Sequence, residues 1–218
     1  MKKKVLLLAL VGFILSFSSY AFAVTITPSP ADLNDLDHCY YYLWKPTITL
    51  GENEVITEAT LTIKNIWNWT YHEATNRLFT HLLDDPSTSG GQKIGGTATN
   101  SSWRWWDNQS YYVYPLDNKD NWKDSGPLIG TWSDPEGGYA RNFNLVYTFS
   151  TLGLVDDLNA YVQDGNFGIG FDPDCHYWNS GIELTYTTKV TPEPISSALF
   201  LLGGGAIATR IYRKKKKA

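Results

Sequence analysis

Residues 55–66 read VITEATLTIKNI, and this stretch decides the fold class. Its apolar residues Ala59, Leu61 and Ile63 alternate with threonine and lysine, which is the period-two pattern of a strand that buries one face. Residues 181–189 repeat the pattern, and the face expected to be buried comprises Ile182, Leu184, Tyr186 and Thr188. Less regular segments predict further strands over 47–50, 78–83, 109–114, 145–149 and 166–171.

Only one segment of the chain stands out as helical in its periodicity. Leu154, Leu158 and Tyr161 recur at helical spacing, and Gly165 follows as a stop signal. The connections between strands, notably 84–100 and 117–138, are rich in turn-forming residues. Short strands, turn-rich connections and one short helix predict a mainly β chain, folded as an antiparallel sandwich of jelly-roll type. No repeat or linker divides residues 24–189, so we expect one domain there.

Composition and charge exclude several classes of protein. The 218 residues suffice for one domain with processing segments, and an aromatic content of 15% is too high for a disordered chain. The net charge is only −4, but basic residues are concentrated at the two ends, which leaves the middle of the chain strongly acidic. Since nucleic-acid binding needs a basic surface, we expect no nucleic-acid partner.

The first 23 residues have the three parts of a secretory signal peptide. Lys2, Lys3 and Lys4 precede the apolar run 5–15, and the small-residue pattern Ala21-Phe22-Ala23 closes the segment. We therefore predict export, with removal of residues 1–23 by signal peptidase. The alternative is a retained membrane anchor, which the short apolar run and the cleavage pattern disfavour.

Residues 190–218 form a second terminal segment with three parts. A stiff Pro192-Glu193-Pro194 stretch precedes the apolar residues 195–208. The basic residues that follow are Arg210, Arg213, Lys214, Lys215, Lys216 and Lys217. This order predicts a transmembrane helix with its C-terminus in the cytoplasm, although residues 195–212 fall just short of the ~20 that cross a bilayer untilted.

This tail resembles the PEP-CTERM sorting signal of bacteria, with Pro192, Glu193 and Pro194 as its motif. The resemblance implies recognition by an exosortase-type membrane protease, transient anchoring in the inner membrane, cleavage near the motif, and transfer to the cell surface or release. It also implies a link to exopolysaccharide and biofilm production in Gram-negative bacteria. The alternative is an ordinary C-terminal anchor.

The middle of the chain is also similar to the body of some PEP-CTERM proteins. The stretches that carry this likeness are 56–63 and 168–177, of which the second, GIGFDPDCHY, is the more specific. The likeness implies an exported sandwich domain whose activity is unassigned, and therefore supports the fold more than any function.

Cys39 and Cys175 are the only cysteines of the chain. In an exported protein, two cysteines far apart in sequence most simply form a disulfide, and this is our prediction. A metal site is the alternative, because each cysteine adjoins a histidine and both residue types bind zinc. The residues of that alternative site are His38, Cys39, Cys175 and His176.

A disulfide between these cysteines would also gather carboxylates. Cα atoms of bridged cysteines lie roughly 4.4–6.8 Å apart, so four nearby aspartates would share one region. These are Asp35, Asp37, Asp172 and Asp174. Because a hard cation relieves the repulsion between carboxylates, we hypothesise a structural Ca²⁺ site there. The alternative is that these aspartates cap turns or face water.

The aromatic content suggests a ligand as well as a core. The stretch 103–112, WRWWDNQSYY, mixes rings with amides and charges, as sugar-binding platforms do. The candidate glycan-binding residues are Trp103, Trp105, Trp106 and Tyr111, and Trp67 and Trp69 form a second pair with the same spacing. The alternative is that these rings pack within the core and at its rim.

No catalytic motif supports an enzyme. His72-Glu73-Ala74-Thr75-Asn76 begins like a zinc-protease motif but lacks the second histidine, and the chain contains no nucleophile elbow or phosphate-binding loop. We therefore predict a non-enzymatic protein of the cell surface or extracellular matrix that binds polysaccharide. The alternatives are a purely structural envelope protein and a glycan-active hydrolase.

Overall fold

The computed structural model of the chain describes residues 22–28, 31–68, 76–89, 91–94, 111–115, 120–138, 143–191 and 212. Contacts divide the chain into two units. The larger unit, called the body here, comprises Phe22–Leu50 and Ile56–Thr188. The other unit includes Gly51–Val55 and the two terminal segments. All sites discussed below lie in the body.

The described residues are mainly β. The strands are β1 (Phe22–Ile26), β2 (Asp35–Leu36), β3 (Tyr40–Trp44), β4 (Glu54–Ile63), β5 (Leu78–Asp84), β6 (Gln92–Ile94), β7 (Tyr111–Pro115), β8 (Leu128–Trp132), β9 (Leu145–Thr148), β10 (Phe167–Pro173), β11 (Tyr177–Trp178) and β12 (Ile182–Val190). The helices are α1 (Phe149–Leu152) and α2 (Val155–Val162), together with a 3₁₀ turn at Ala31–Asn34.

The strands form three sheets. One has the order β1-β12-β4-β9, the second has the order β6-β7-β3-β10-β5-β8, and β11 pairs with β2 in a small third sheet. Each strand pair whose register is resolved is antiparallel, which confirms that part of the prediction. Many pairs join strands far apart in sequence, as β1 and β12 are.

The alternation in β4 and β12 corresponds to one buried face. Ala59, Leu61 and Ile63 are buried, whereas the threonines between them are partly exposed. In β12 the predicted face is also the buried one, and it comprises Ile182, Leu184, Tyr186 and Thr188. Most of these residues join Leu82 and Phe171 of the six-stranded sheet in one hydrophobic core, so both larger sheets contribute to it.

Strand β10 reads FGIGFDP, and all seven of its residues are buried. The large residues Phe167, Ile169 and Phe171 belong to the main core. The glycines between them permit close packing on the other face, where a Cβ atom on Gly170 would lie 2.6 Å from the Trp122 ring. A strand covered on both faces therefore alternates large residues with glycine rather than apolar with polar.

Some strands and one helix were not expected from the sequence. Residues 47–50 do not form the predicted strand, whereas β3 and β8 were not predicted. Strand β3 reads YYYLW and buries residues on successive positions, so it has no period of two. The predicted helix corresponds to α2, and a second, one-turn helix, α1, precedes it and ends at Gly153 with φ +72°.

The terminal predictions fall mostly outside the described residues. This applies to residues 1–21 of the signal peptide, to the sorting motif Pro192-Glu193-Pro194 and to all the basic residues of the tail. Of the residues after 191, only Tyr212 is described. Within the described part of the chain, no helix combines the length and the apolar character needed to span a bilayer. Strand β1 begins at Phe22, so cleavage after Ala23 would leave residues 24–26 paired with β12.

A loop over residues 120–126 covers one face of the six-stranded sheet. Trp122 inserts into a second small core with Leu43, Leu83 and Tyr114. Asp172, at 0% exposure, accepts hydrogen bonds through Oδ2 from the backbone N–H and the side-chain Nδ2 of Asn121, the latter at 2.9 Å. The buried carboxylate thus fixes the start of the loop.

Burial makes the stability contributed by Asp172 depend on pH. Desolvation raises the pKa of its carboxyl above 3.8; the hydrogen bonds from Asn121 oppose this, and the charges of Asp120 and Asp174 add to it. A carboxyl with a raised folded-state pKa stabilises the fold fully at pH values below the unfolded pKa, and this stability is lost as pH rises towards the folded pKa.

We expect Asp172→Asn to remove this loss, because asparagine does not ionise but keeps an oxygen acceptor for Asn121. The unfolding free energy of the wild type relative to the variant should fall as pH rises from about 3 to 7, measured by urea denaturation. Asp124→Asn, at a side chain that is 88% exposed, is the matched control and should show no such trend. Parallel pH profiles for Asp172→Asn and the wild type would contradict this account.

Candidate functional site: an aromatic cleft and an adjoining histidine–carboxylate cluster

The described part of the body contains a cleft of about 130 Å³ at the C-terminal end of β8. Its lining residues are Ile66, Trp67, Trp132, Asp134, Pro135, Glu136 and Phe143. We call this the aromatic cleft, because three of its residues present aromatic rings and two others present carboxylates.

The rings of the aromatic cleft are held by stacking against neighbours. Trp132 and Phe143 are stacked with their centroids 5.9 Å apart and their planes 14° apart, and Phe143 is 46% exposed. Trp67 stacks on Trp178, with centroids 4.7 Å apart, and the two residues also exchange backbone hydrogen bonds. Behind Trp132 lies the fully buried ring of Tyr177, at 5.6 Å. The cleft therefore has preformed, partly exposed ring surfaces.

Asp134 organises one wall of the aromatic cleft. Its Oδ1 accepts hydrogen bonds from the backbone N–H groups of Glu136 and Gly137, both at 3.0 Å. Its Oδ2 accepts from the backbone N–H of Asn68 at 3.1 Å. Because both oxygens are engaged, Asp134 joins the loop after β8 to the segment after β4, and Glu136 remains the more exposed carboxylate of the cleft.

A second cluster lies where β2 and β11 pair, beside the turn from Asp37 to Tyr40. We call it the seam cluster; its residues are Asp35, Asp37, His38, Cys39 and His176. His176 Nε2 is 3.2 Å from Asp35 Oδ1 and 3.5 Å from Asp37 Oδ2. The His38 and His176 rings meet edge to face, with centroids 5.4 Å apart. The two segments that carry the cysteines therefore do converge, as the sequence suggested.

The electrostatics of the seam cluster centre on Asp37. Burial raises the pKa of its carboxyl, but hydrogen bonds from Cys39 and the charges of His176 and His38 outweigh burial and leave the pKa below 3.8. The Cys39 backbone N–H donates to Asp37 Oδ1 at 2.8 Å. Hydrogen bonding and charge from Asp37, with a smaller effect of desolvation, raise the pKa of the Cys39 thiol above 9.0.

The predicted disulfide is not formed in this structure, in which Cys39 and Cys175 are not bonded to each other. Cys39 lies exposed in the turn after Asp37, and its thiol interacts with that carboxylate. The sequence thus correctly indicated which segments meet, but the two cysteines are not bonded.

The four aspartates of the calcium hypothesis have different surroundings. Asp35 and Asp37 both contact His176, whereas Asp172 is buried in β10 and bonded to Asn121. The backbone N–H of Asp174 donates to the Arg77 carbonyl at 2.7 Å. In the described ranges, the only group of three or more acidic, histidine or cysteine donors within 4.8 Å comprises Asp37, His38 and Cys39.

Most of the predicted glycan-binding residues lie outside the described part of the chain. Trp103, Trp105 and Trp106 lie outside the described residues, and of Tyr111 only the backbone position in β7 is described. The aromatic cleft instead uses Trp67, which the sequence had indicated, together with Trp132 and Phe143, which it had not. In the sequence, Trp132 and Phe143 are marked only as aromatic residues beside turn-forming residues, and this combination is too common to select them.

Another pattern can be placed in neither site. The histidine-glutamate stretch at 72–76 lies almost wholly outside the described residues, as does the sorting motif with the basic residues of the tail.

Comparisons with protein-family models, with curated proteins and with solved structures found no match to this chain.

Proposed function

We propose that this chain is an exported, non-enzymatic protein of the bacterial cell surface or extracellular matrix that binds polysaccharide through the aromatic cleft. In this proposal signal peptidase removes residues 1–23, and an exosortase-type protease processes the tail at Pro192-Glu193-Pro194 after transient anchoring in the inner membrane. The body is a jelly-roll-like sandwich, in which the two larger sheets enclose the main core.

The observation that carries the binding proposal is the composition of the aromatic cleft. Trp67, Trp132 and Phe143 offer ring surfaces, and the C–H faces of a sugar pack well against such rings. Glu136 provides a carboxylate at the edge, where sugar hydroxyl groups can donate hydrogen bonds. Apolar surfaces with a few polar groups at the edge are the usual composition of small-molecule sites.

The size of the cleft favours a polymer over an enclosed small molecule. Its volume of about 130 Å³ is below the roughly 300–1,000 Å³ of pockets that enclose a drug-sized ligand. A polysaccharide can place one sugar ring in such a cleft while its neighbouring sugars lie on the surface. The acidic middle of the chain favours a neutral polysaccharide, because an anionic one would be repelled.

A glycan array tests the binding proposal. We expect the mature protein, purified from cells that export it, to bind a subset of neutral polysaccharides, with the same preference in a titration of the soluble polymer. Silence across neutral and acidic polymers would favour the purely structural alternative. Release of labelled fragments, abolished by Glu136→Gln, would instead support the hydrolase alternative.

Intact mass spectrometry of the same mature protein tests export and sorting. We expect a chain that begins after Ala23 and lacks the basic end beyond Pro192-Glu193-Pro194. Pro192→Ala together with Pro194→Ala should retain the tail and keep the protein in the membrane fraction. In the matched control, Pro135 and Pro173 of the body are replaced by alanine instead. Tail processing should then be unchanged. Full-length, uncut protein in the cytosol would contradict the proposal.

A further inference from the structure

The seam cluster brings five potential metal ligands together from two strands. Asp37, His38 and Cys39 follow β2, and their donor atoms all lie within 4.8 Å of one another. His176 precedes β11, which pairs with β2. Because of this pairing, His176 comes within 3.5 Å of the Asp37 carboxylate although the two residues are far apart in sequence.

Each oxygen of the Asp37 carboxylate has a histidine nitrogen beside it, at a spacing close to that between neighbouring ligands of a tetrahedral ion. Zinc bonds of about 2.0–2.1 Å to nitrogen and oxygen place neighbouring ligand atoms about 3.3 Å apart. His176 Nε2 lies 3.5 Å from Asp37 Oδ2, and His38 Nδ1 lies 3.5 Å from Asp37 Oδ1. The second carboxylate, Asp35 Oδ1, lies 3.2 Å from His176 Nε2. The Asp37, His38 and Cys39 donors already lie within 4.8 Å of one another, so the His176 imidazole is the ligand that has to approach as the ion binds.

An independent observation concerns His176. Its Nε2 atom is shielded from water and makes no hydrogen bond of good geometry, although two carboxylates lie within 3.5 Å of it. The ring is held in place by stacking on Trp178, with centroids 4.8 Å apart. An imidazole nitrogen held beside two carboxylates, shielded from water and without a well-formed hydrogen bond, is available as a metal ligand.

We propose that the seam cluster binds a transition-metal ion of the Zn²⁺ class. The ligands are His176 Nε2, His38 Nδ1, an Asp37 oxygen and the Cys39 thiolate, and Asp35 Oδ1, which lies beside the same His176 nitrogen, is an alternative oxygen ligand. Imidazole and thiolate ligands select zinc over calcium, which prefers six to eight oxygen ligands. The site does not depend on the proposed glycan binding, and a metal titration needs no polysaccharide.

Zinc titration of the reduced, metal-stripped full chain in detergent tests the site, with a chromophoric chelator as competitor. We expect one Zn²⁺ per chain, with no comparable binding of Ca²⁺. Cys39→Ser and His176→Gln should each weaken zinc binding at least about tenfold, since loss even of a residue that only supports a ligand costs 10–100-fold. The cobalt-substituted protein should show a thiolate-to-cobalt charge-transfer band that Cys39→Ser removes.

Cys175→Ser is the matched control, because Cys175 adjoins His176 but lies outside the proposed ligand set. It should keep the zinc affinity and the cobalt band. The proposal would be overturned if the wild type took up no more zinc than a Cys39→Ser/His176→Gln double variant. Equal losses of zinc affinity in Cys39→Ser and Cys175→Ser would also overturn it. Near-ultraviolet circular dichroism of each variant distinguishes lost ligation from lost folding.

Discussion

Replacing Trp132 by alanine is expected to lower the affinity for the bound polysaccharide by at least about 30-fold, or about 2 kcal/mol, as for a central aromatic anchor of a binding site. Trp132 lines the aromatic cleft and stacks on Phe143. Its removal therefore takes away one ring surface and the support of a second. Isothermal titration with the polymer selected on the array measures the effect, and Trp132→Phe should retain part of the affinity.

Two further variants establish whether a loss of affinity in Trp132→Ala is specific to the aromatic cleft. Leu128→Ala removes an exposed side chain at the other end of β8 and should leave binding unchanged. Trp105→Ala tests the platform that the sequence predicted over residues 103–112. If Trp105→Ala abolishes binding while Trp132→Ala does not, the aromatic cleft is not the site. Thermal melting shows whether each variant is folded at the temperature of the titration.

Replacing His81 by leucine should lower the free energy of unfolding by about 3 kcal/mol, measured by urea denaturation. The His81 side chain is 3% exposed, its Nδ1 lies 3.2 Å from the Gly126 carbonyl oxygen, and its Nε2 lies 2.8 Å from Asp120 Oδ1. Both ring nitrogens of this buried side chain therefore lie beside acceptor oxygens. Leucine would remove both polar contacts and leave the Asp120 carboxylate and the Gly126 carbonyl without them.

The expected cost is at the lower end of the range for a broken buried pair, because Asp120 is 20% exposed and water can solvate it in part. Asp120→Asn in the His81→Leu background should recover part of the loss, since a neutral amide costs less than a carboxylate when its partner is removed. The matched control is Lys123→Ala, which breaks an exposed contact of 4.0 Å to Asp124 and should cost less than about 0.5 kcal/mol. A similar cost for His81→Leu and Lys123→Ala would contradict the assignment.

The alternation of apolar and polar residues predicted the strands that have one buried face, because this alternation is a local property of the chain. In β4 and β12 the predicted faces are the buried ones. It did not predict β3 or β8. Strand β3 lies between β7 and β10, where the triple tyrosine and Trp44 are packed without regard to a period of two. Strand β8 contains Gly130, where a Cβ atom would lie 2.2 Å from the Tyr147 ring, and this contact is invisible in the sequence.

The candidate sites also combine features that the sequence predicted with features that only the tertiary structure shows. Sequence placed His38, Cys39 and His176 near one another by assuming a disulfide, and the segments do meet although the cysteines are not bonded. Of the aspartates in the calcium hypothesis, Asp35 and Asp37 both lie beside His176, whereas Asp172 accepts a hydrogen bond from Asn121 of the 120–126 loop. Side-chain direction depends on the register of a strand, and a shift of one residue reverses it.

The amino-acid sequence alone determined the β class, the position of α2 and the chemical character of the two ends, since each follows from residues adjacent in the chain. The tertiary structure decided which rings form the cleft and which ligands form the seam cluster. Trp67, Trp132 and Phe143 come from separate segments, as do His38 and His176. Their meeting depends on strand order and loop geometry, which are set by the packing of the whole core rather than by any local pattern.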